Sequence, residues 1–239
     1  MRDYNPDIYN KNCPICDNAT SIWGCVDFNK SCEELNGTYL DYCGVPIYYL
    51  KCQHCNHIFS TDFDDWDFED FKENIYNDDY IVVDPEYDGT RSKRDAEMFL
   101  KMINYNKNID ILDYGSGNGF FEKELTTQGY NIHSYDPLWE NIDLSDKKFD
   151  IITAFEVLEH SNKPLDTLNE LCNFLKPNGK ILITTLVNDI LQGKRDPTYW
   201  YLAPRNGHVS MFSNKSLEIL FSKKGFSVKH LAWNTHLIE

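Results

Sequence analysis

Three short stretches of this 239-residue chain carry residue types at spacings suited to chemistry. Two are cysteine pairs, "CPIC" (Cys13, Cys16) and "CQHC" (Cys52, Cys55), separated by 35 residues. Each C-x2-C knuckle turns the chain so that two thiolates converge, and two knuckles complete a tetrahedral zinc site. Scattered core cysteines would account for the number of cysteines but not for two matched pairs. Four thiolates leave no open position on the ion, so the expected role is structural. His54 and His57 flank the second knuckle and are not needed as ligands, while Cys25, Cys32 and Cys43 have no matching pair. The third stretch is "FEVLEH" at 155–160. On a helix, Glu156, Glu159 and His160 at i, i+3 and i+4 share one face. Such a face is either solvated charge, the usual state of these residue types, or a holder of something.

These groups need a fold to position them. With 41% hydrophobic and 14% aromatic residues, the chain can bury a sizeable core and is not a disordered polymer. Its net charge of −15 is a poor match for a phosphate backbone, so a nucleic-acid partner is disfavoured. The first residues lack the apolar run of a signal peptide, and no stretch approaches the length of a membrane span. The expected compartment is the cytoplasm, where cysteines serve metal or burial rather than disulfides.

From residue 109 short apolar runs alternate with amphipathic ones. "IDILDYG", "YNIHSYD", "FDIITAF", "KILITTL", "FSVKHLA" and "THLIE" read as strands. "FFEKELTTQG", "PLDTLNELCNFLKPNG" and "NKSLEILFSKKG" read as helices, the second opened by Pro164 and ended by its "KPNG". That alternation predicts an α/β fold, a mostly parallel sheet with helices on both faces. The chain is expected to divide into a zinc-ribbon-like module (1–62), a connector (63–94) and the α/β domain (95–239). Within the connector, Phe68, Phe71 and Ile75 suggest a short helix followed by extended chain.

The strand "ILDYG" runs through Gly115, Gly117 and Gly119 directly into a helix. Glycines there let the backbone take positive φ and approach a ligand. Asp136 ends the next strand, where an acid can accept both hydroxyls of a ribose. The dinucleotide fingerprint G-x-G-x-x-G is absent.

"ILDYGSGNGFF", "YDP", "FDIITAFEVLEH" and "LKPNGKILITT", in that order, resemble the motifs of class I S-adenosylmethionine-dependent methyltransferases. The paired knuckles followed by "IYNDDYIVVDPEY" are similar to a zinc-containing branch of that superfamily, often associated with sugar, surface-polysaccharide or secondary-metabolite biosynthesis. The resemblance implies a Rossmann-like sheet with S-adenosyl-L-methionine as cofactor. Its methionine end would lie beside Gly115, Ser116, Gly117 and Gly119, its ribose on Asp136, and its adenine near Asp143, Leu144 and Phe155. The full E-x-x-E-H resembles the metal motif of ubiquinone-biosynthesis and small-RNA O-methyltransferases. Glu156, Glu159 and His160, with His208 of "GHVSMF" as fourth ligand, would then hold magnesium or manganese. Alternatively His160 or His208 acts as a metal-free general base, with Glu159 beside it. Tyr199, Trp200 and Tyr201 are expected to wall the substrate site, and Arg205 to hold an acidic group there. Arg91 and Arg94 are either anion-binding residues or solvated charges. The implied reaction is methylation of a small molecule, on a hydroxyl or phosphate-type oxygen of a sugar or related metabolite. Carbon or nitrogen methylation, or a non-catalytic zinc-dependent interaction protein, remain as alternatives.

Overall fold

β1 (Thr20–Asp27), β2 (Pro46–Cys52) and β3 (Ile58–Ser60) pair antiparallel in the computed structural model, which describes residues 9–139, 144 and 146–239. The second knuckle is the turn joining β2 to β3. It closes with Cys52 N–H donating to His57 O at 2.9 Å, and Asn56 takes the left-handed conformation at φ 60°. Asp17 does the same after the first knuckle, at φ 57°. Asn and Asp tolerate that region better than other side-chain-bearing residues. The sheet's fourth strand, Ser210–Met211, is β8 in chain order and pairs with β3. This sheet is therefore not made by the first 62 residues alone.

The acidic segment that follows opens with the short helix expected around Phe68, Phe71 and Ile75, but is helical again where extended chain was expected. α1 (Phe68–Asn74) is capped by Asp67, which accepts from the N–H groups of Glu69 and Asp70, while Asp70 reaches back to the Asp67 N–H. α2 (Tyr80–Val83) and a 3-10 turn at Pro85–Asp88 replace the connector. Tyr80 and Val83, three apart, bury themselves with Phe63, Phe71, Ile75 and Tyr201. Removing that apolar surface from water stabilises the compact path, at about 25 cal/mol per Å².

α3 (Thr90–Met102) leads into the main sheet. β4 (Asp110–Tyr114), α4 (Phe120–Thr127), β5 (Asn131–Tyr135), β6 (Phe149–Phe155), α5 (Pro164–Phe174), β7 (Leu175–Thr184), α6 (Asn214–Ser222), β9 (Val228–His230) and β10 (Thr235–Ile238) complete the chain. The sheet order is β5-β4-β6-β7-β10-β9. The first four are parallel, and β10 runs antiparallel between β7 and β9. Both faces are covered, which is why these strands read as near-continuous apolar runs. Ile111 and Leu182 meet α3 and α4 on one face, while Leu112, Ile181 and Ile183 meet α5 and α6 on the other. Each such buried aliphatic contributes roughly 1.5–3 kcal/mol of transfer free energy. Cys13, Ile15, Cys52 and Cys55 belong to the second of these cores, so the knuckles are packed into the α/β unit.

Two local expectations are corrected. α5 stops at Phe174, and "KPNG" already lies within β7, with Asn178 left-handed at φ 64°. "FEVLEH" is not a helical turn carrying three groups: β6 ends at Phe155, Glu156 is left-handed at φ 53°, and only Leu158–His160 form a 3-10 turn. The Glu156 N–H donates to Thr184 O at 2.9 Å and to Thr184 Oγ1 at 3.0 Å, which holds the unusual backbone in place. Among the described residues, no helix is long and apolar enough to cross a membrane.

Candidate active site

A cavity of about 660 Å³ opens at the carboxyl ends of β4, β5 and β6. Its floor is the glycine turn. Gly115 has φ 73°, and a Cβ there would lie 2.5 Å from Val157 Cγ2, so a side chain is excluded by conformation and by space. Gly117 backs onto the Tyr87 hydroxyl. Asp136 lines the same cavity and is 5% exposed. One of its oxygens accepts the Gly117 N–H and the other the Leu138 N–H, both at 2.8 Å. Burial raises its pKa, and those two bonds work against the rise. A carboxylate has about four acceptor positions, so it can still take ribose hydroxyls.

Gly115, Ser116, Gly117, Asp136 and Phe155 all line the cavity. Gly119 does not; it is the N-cap of α4 at φ 71°. Leu144 does not either, being buried with Phe149 and Leu168. Asp143 lies outside the described residues. Asp113, also lining the cavity, was missed by sequence reasoning. Burial pushes its carboxyl up to about 7, partly countered by the Thr153 hydroxyl, which donates to it at 3.0 Å. An acid inside the apolar run "ILDYG" was the available signal.

The opposite wall comes from the segment between the two sheets. Trp66, Phe71, Tyr76, Tyr80 and Tyr87 supply aromatic surface there, with Arg91 and Asp95 from α3. The guanidinium of Arg91 forks Asp84 at 3.1 and 2.5 Å, whereas Arg94, outside the cavity lining, forks Glu86 at 2.6 Å twice. Burial, with the charge of Glu156, raises the Asp95 carboxyl to about 6.

The expected aromatic wall at Tyr199, Trp200 and Tyr201 is not at the cavity; Tyr201 is buried in the core between the sheets, and Tyr199 and Trp200, half-buried, pack against it. Arg205 is likewise turned inward and bonds Ile75 O at 2.9 Å and Asn77 Oδ1 at 3.0 Å, so it is committed to packing. The Tyr201 hydroxyl points to the acidic cluster instead, donating to Glu159 Oε1 at 2.5 Å.

Glu159, His160 and His208 converge, each presenting a ligand atom within 4.8 Å of the others. Glu156 is outside that trio but lines the cavity, as does His160. Glu159 Oε2 and His160 Nδ1 are buried without a hydrogen-bond partner. His208 Nδ1–H donates to Tyr201 O at 2.9 Å, which leaves its Nε2 lone pair free. Burial, then the Glu159 charge, raises the Glu156 carboxyl; burial raises Glu159 against the bond from Tyr201. Burial, then neighbouring His208, lowers His160, and burial lowers His208 to about 4. Two neutral imidazoles and the Glu159 carboxyl, with Glu159 Oε2 and His160 Nδ1 orphaned, are a donor set suited to a divalent cation.

The four knuckle cysteines also converge, with Cys13 and Cys55 sulfurs 3.6 Å apart and Cys16 and Cys52 sulfurs 3.5 Å apart. The Cys52 sulfur further accepts the N–H groups of His54 and Cys55, as a thiolate ligand would. Cys25 and Cys43 are exposed, and Cys32 lies 3.8 Å from His208 Nδ1.

Comparison with known proteins bears on the family and the fold. A family model described as a methyltransferase domain matches residues 87–231. The ubiquinone biosynthesis O-methyltransferase of Rickettsia conorii is 30% identical over 111 residues, 37% of this chain and 38% of that protein. Its namesake from Rickettsia bellii is 29% identical over 101 residues, 33% of this chain and 42% of that one. The matches thus span well under half of the length of these relatives. The plantazolicin methyltransferase BpumL in complex with SAH superposes with a TM-score of 0.52 at 14% identity, over 74% of this chain and 95% of its own. The chain belongs to the methyltransferase-domain family.

Proposed function

We propose that the protein methylates a hydroxyl oxygen of a small, uncharged molecule, with magnesium or manganese held by Glu159, His160 and His208 and structural zinc on Cys13, Cys16, Cys52 and Cys55. The observation that carries the reading is the convergence of Glu159, His160 and His208 at the carboxyl edge of the sheet, with two buried ligand atoms unpartnered. A bound divalent ion supplies Lewis acidity that lowers the pKa of an acceptor hydroxyl. Glu156 and His160 face the cavity and orient the acceptor, while Tyr201 holds Glu159 from behind. The relatives named as ubiquinone biosynthesis O-methyltransferases support oxygen as the acceptor atom.

A phosphate-type acceptor, expected as one option from the sequence, fits the cavity poorly. Asp84, Asp95, Asp113, Asp136 and Glu156 line it against two basic residues, Arg91 and Lys163, and Arg91 is already paired with Asp84. An anion entering there would find few cationic partners and would be repelled at close range by those carboxyls that stay ionised.

The test is release of S-adenosylhomocysteine with a panel of hydroxylated, amine-bearing and phosphorylated small molecules. It is run after chelation with magnesium, manganese or nothing restored, in wild type and Glu159→Gln, with zinc content followed throughout. The expected result is turnover of hydroxylated acceptors that returns only with added ion and is not rescued in Glu159→Gln. Full turnover without ion, abolished by His160→Ala, would instead make His160 a general base.

A further inference from the structure

We infer that the four-cysteine module is a working part of the carboxylate–imidazole cluster: it seats His208, so the cluster's affinity for a divalent cation depends on the module being intact. This rests on the metal reading proposed above. His208 lies two residues ahead of β8, and β8 pairs with β3, the strand that leaves the second knuckle. Ser60 N–H donates to Val209 O at 2.9 Å and continues that ladder toward His208. The carbonyl of His208 itself accepts the hydroxyl of Tyr49, a fully buried residue of β2, at 2.7 Å. From the same module, Cys32 N–H donates to Asn206 Oδ1 at 2.8 Å, and the Cys32 sulfur lies 3.8 Å from the His208 ring.

The carbonyls of His208 and Val209 are thus held by β2 and β3 of the cysteine-bearing sheet, while Cys32, in the turn between β1 and β2, holds the Asn206 side chain and lies beside the ring that the Tyr201 carbonyl orients. On its other side the segment reaches the cluster directly, since Val209 N–H donates to Glu159 O at 2.9 Å. The knuckle is tied in as well: Ser213 donates to Cys55 O at 2.5 Å, and Asn188 to Asn56 O at 2.8 Å. Freeing Cys55 from a bound ion loosens β3, then β8, then the histidine. Tyr49 does not line the cavity, so it acts through His208 as a positioning residue.

The experiment uses the full chain with its zinc retained and compares wild type, Tyr49→Phe and Cys25→Ser, the last an exposed position of the same sheet. Manganese binding is titrated by electron paramagnetic resonance, and the histidine rings are followed by 15N magnetic resonance. Tyr49→Phe keeps the ring but strands a buried carbonyl, so manganese affinity should fall about tenfold with unchanged zinc, and the His208 resonances should shift. Cys25→Ser should leave both as in wild type. Wild-type manganese affinity with unshifted His208 in Tyr49→Phe overturns the inference. If the wild type takes up no manganese, the metal reading falls and with it the affinity claim. The seating of His208 is then decided by the histidine spectrum alone.

Discussion

Replacing Asp136 with alanine removes the acceptor of two backbone N–H groups as well as the proposed ribose contact. The two effects separate by assay. Loss of the acceptor for Gly117 and Leu138 weakens the turn without ligand, and appears as lower stability of the free protein. Loss of one charge-assisted bond to a ribose hydroxyl is worth about 1.5–3 kcal/mol, or roughly tenfold to 150-fold in affinity for S-adenosylhomocysteine. Asparagine keeps the shape but has about two acceptor positions in place of four, and its NH2 faces one of the two backbone N–H groups, so its affinity should fall between wild type and alanine. Calorimetric titration with S-adenosylhomocysteine and its 2′,3′-dideoxy analogue forms a double-mutant cycle. Wild type should discriminate strongly between the two ligands and Asp136→Ala hardly at all. Equal discrimination in both proteins, with the variant folded, would remove Asp136 from ribose recognition.

Gly115→Ala forces a side chain into the left-handed region, about 1–2 kcal/mol, and into Val157. The melting temperature should drop by several degrees, and Val157→Ala should recover part of the loss. Zinc should copurify with the protein, and Cys52→Ser should lose it and lower the unfolding transition; elemental analysis without zinc would end the four-thiolate reading. Asp113 gives a pH dependence. Its carboxyl titrates near 3.8 unfolded and about 7 folded, so its contribution to stability is fully present below about pH 4 and is lost as pH rises through 7. That gap corresponds to about 4 kcal/mol at most, and urea unfolding of Asp113→Asn should show a smaller decline between pH 5 and 8 than wild type.

The parts legible in the sequence are those specified within a few residues. Two C-x2-C pairs announce converging thiolates because the knuckle is local, and the second is completed by Asn56 immediately after it. The glycine turn and the alternating strands are equally local, because burial on both faces demands unbroken apolar runs. The aromatic cavity wall was hidden for a different reason. "DDWDFEDFKENIYNDDY" is dominated by charge, and although Phe68, Phe71 and Ile75 show a short helix, the acids interspersed among Trp66, Tyr76 and Tyr80 give no sign that these rings share a cavity wall. Tyr199, Trp200 and Tyr201 present the converse problem, since three adjacent aromatics look alike whether they face a cavity or a core.

What local spacing cannot show is which atoms of a candidate site are left free. A helix was a sound reading of "FEVLEH", but Thr184 captures the Glu156 N–H from 28 residues away and turns the backbone left-handed. The same holds for His208, whose carbonyl is held by Tyr49 across 159 residues. Tyr201 makes the point most directly. Its hydroxyl occupies one oxygen of Glu159 and its carbonyl occupies Nδ1 of His208. The atoms it leaves open are Glu159 Oε2 and His208 Nε2. With His160 beside them, these are candidate ligand atoms for the ion proposed above. A residue expected to touch substrate instead decides which lone pairs the cluster offers, and nothing in its own neighbourhood along the chain reveals that.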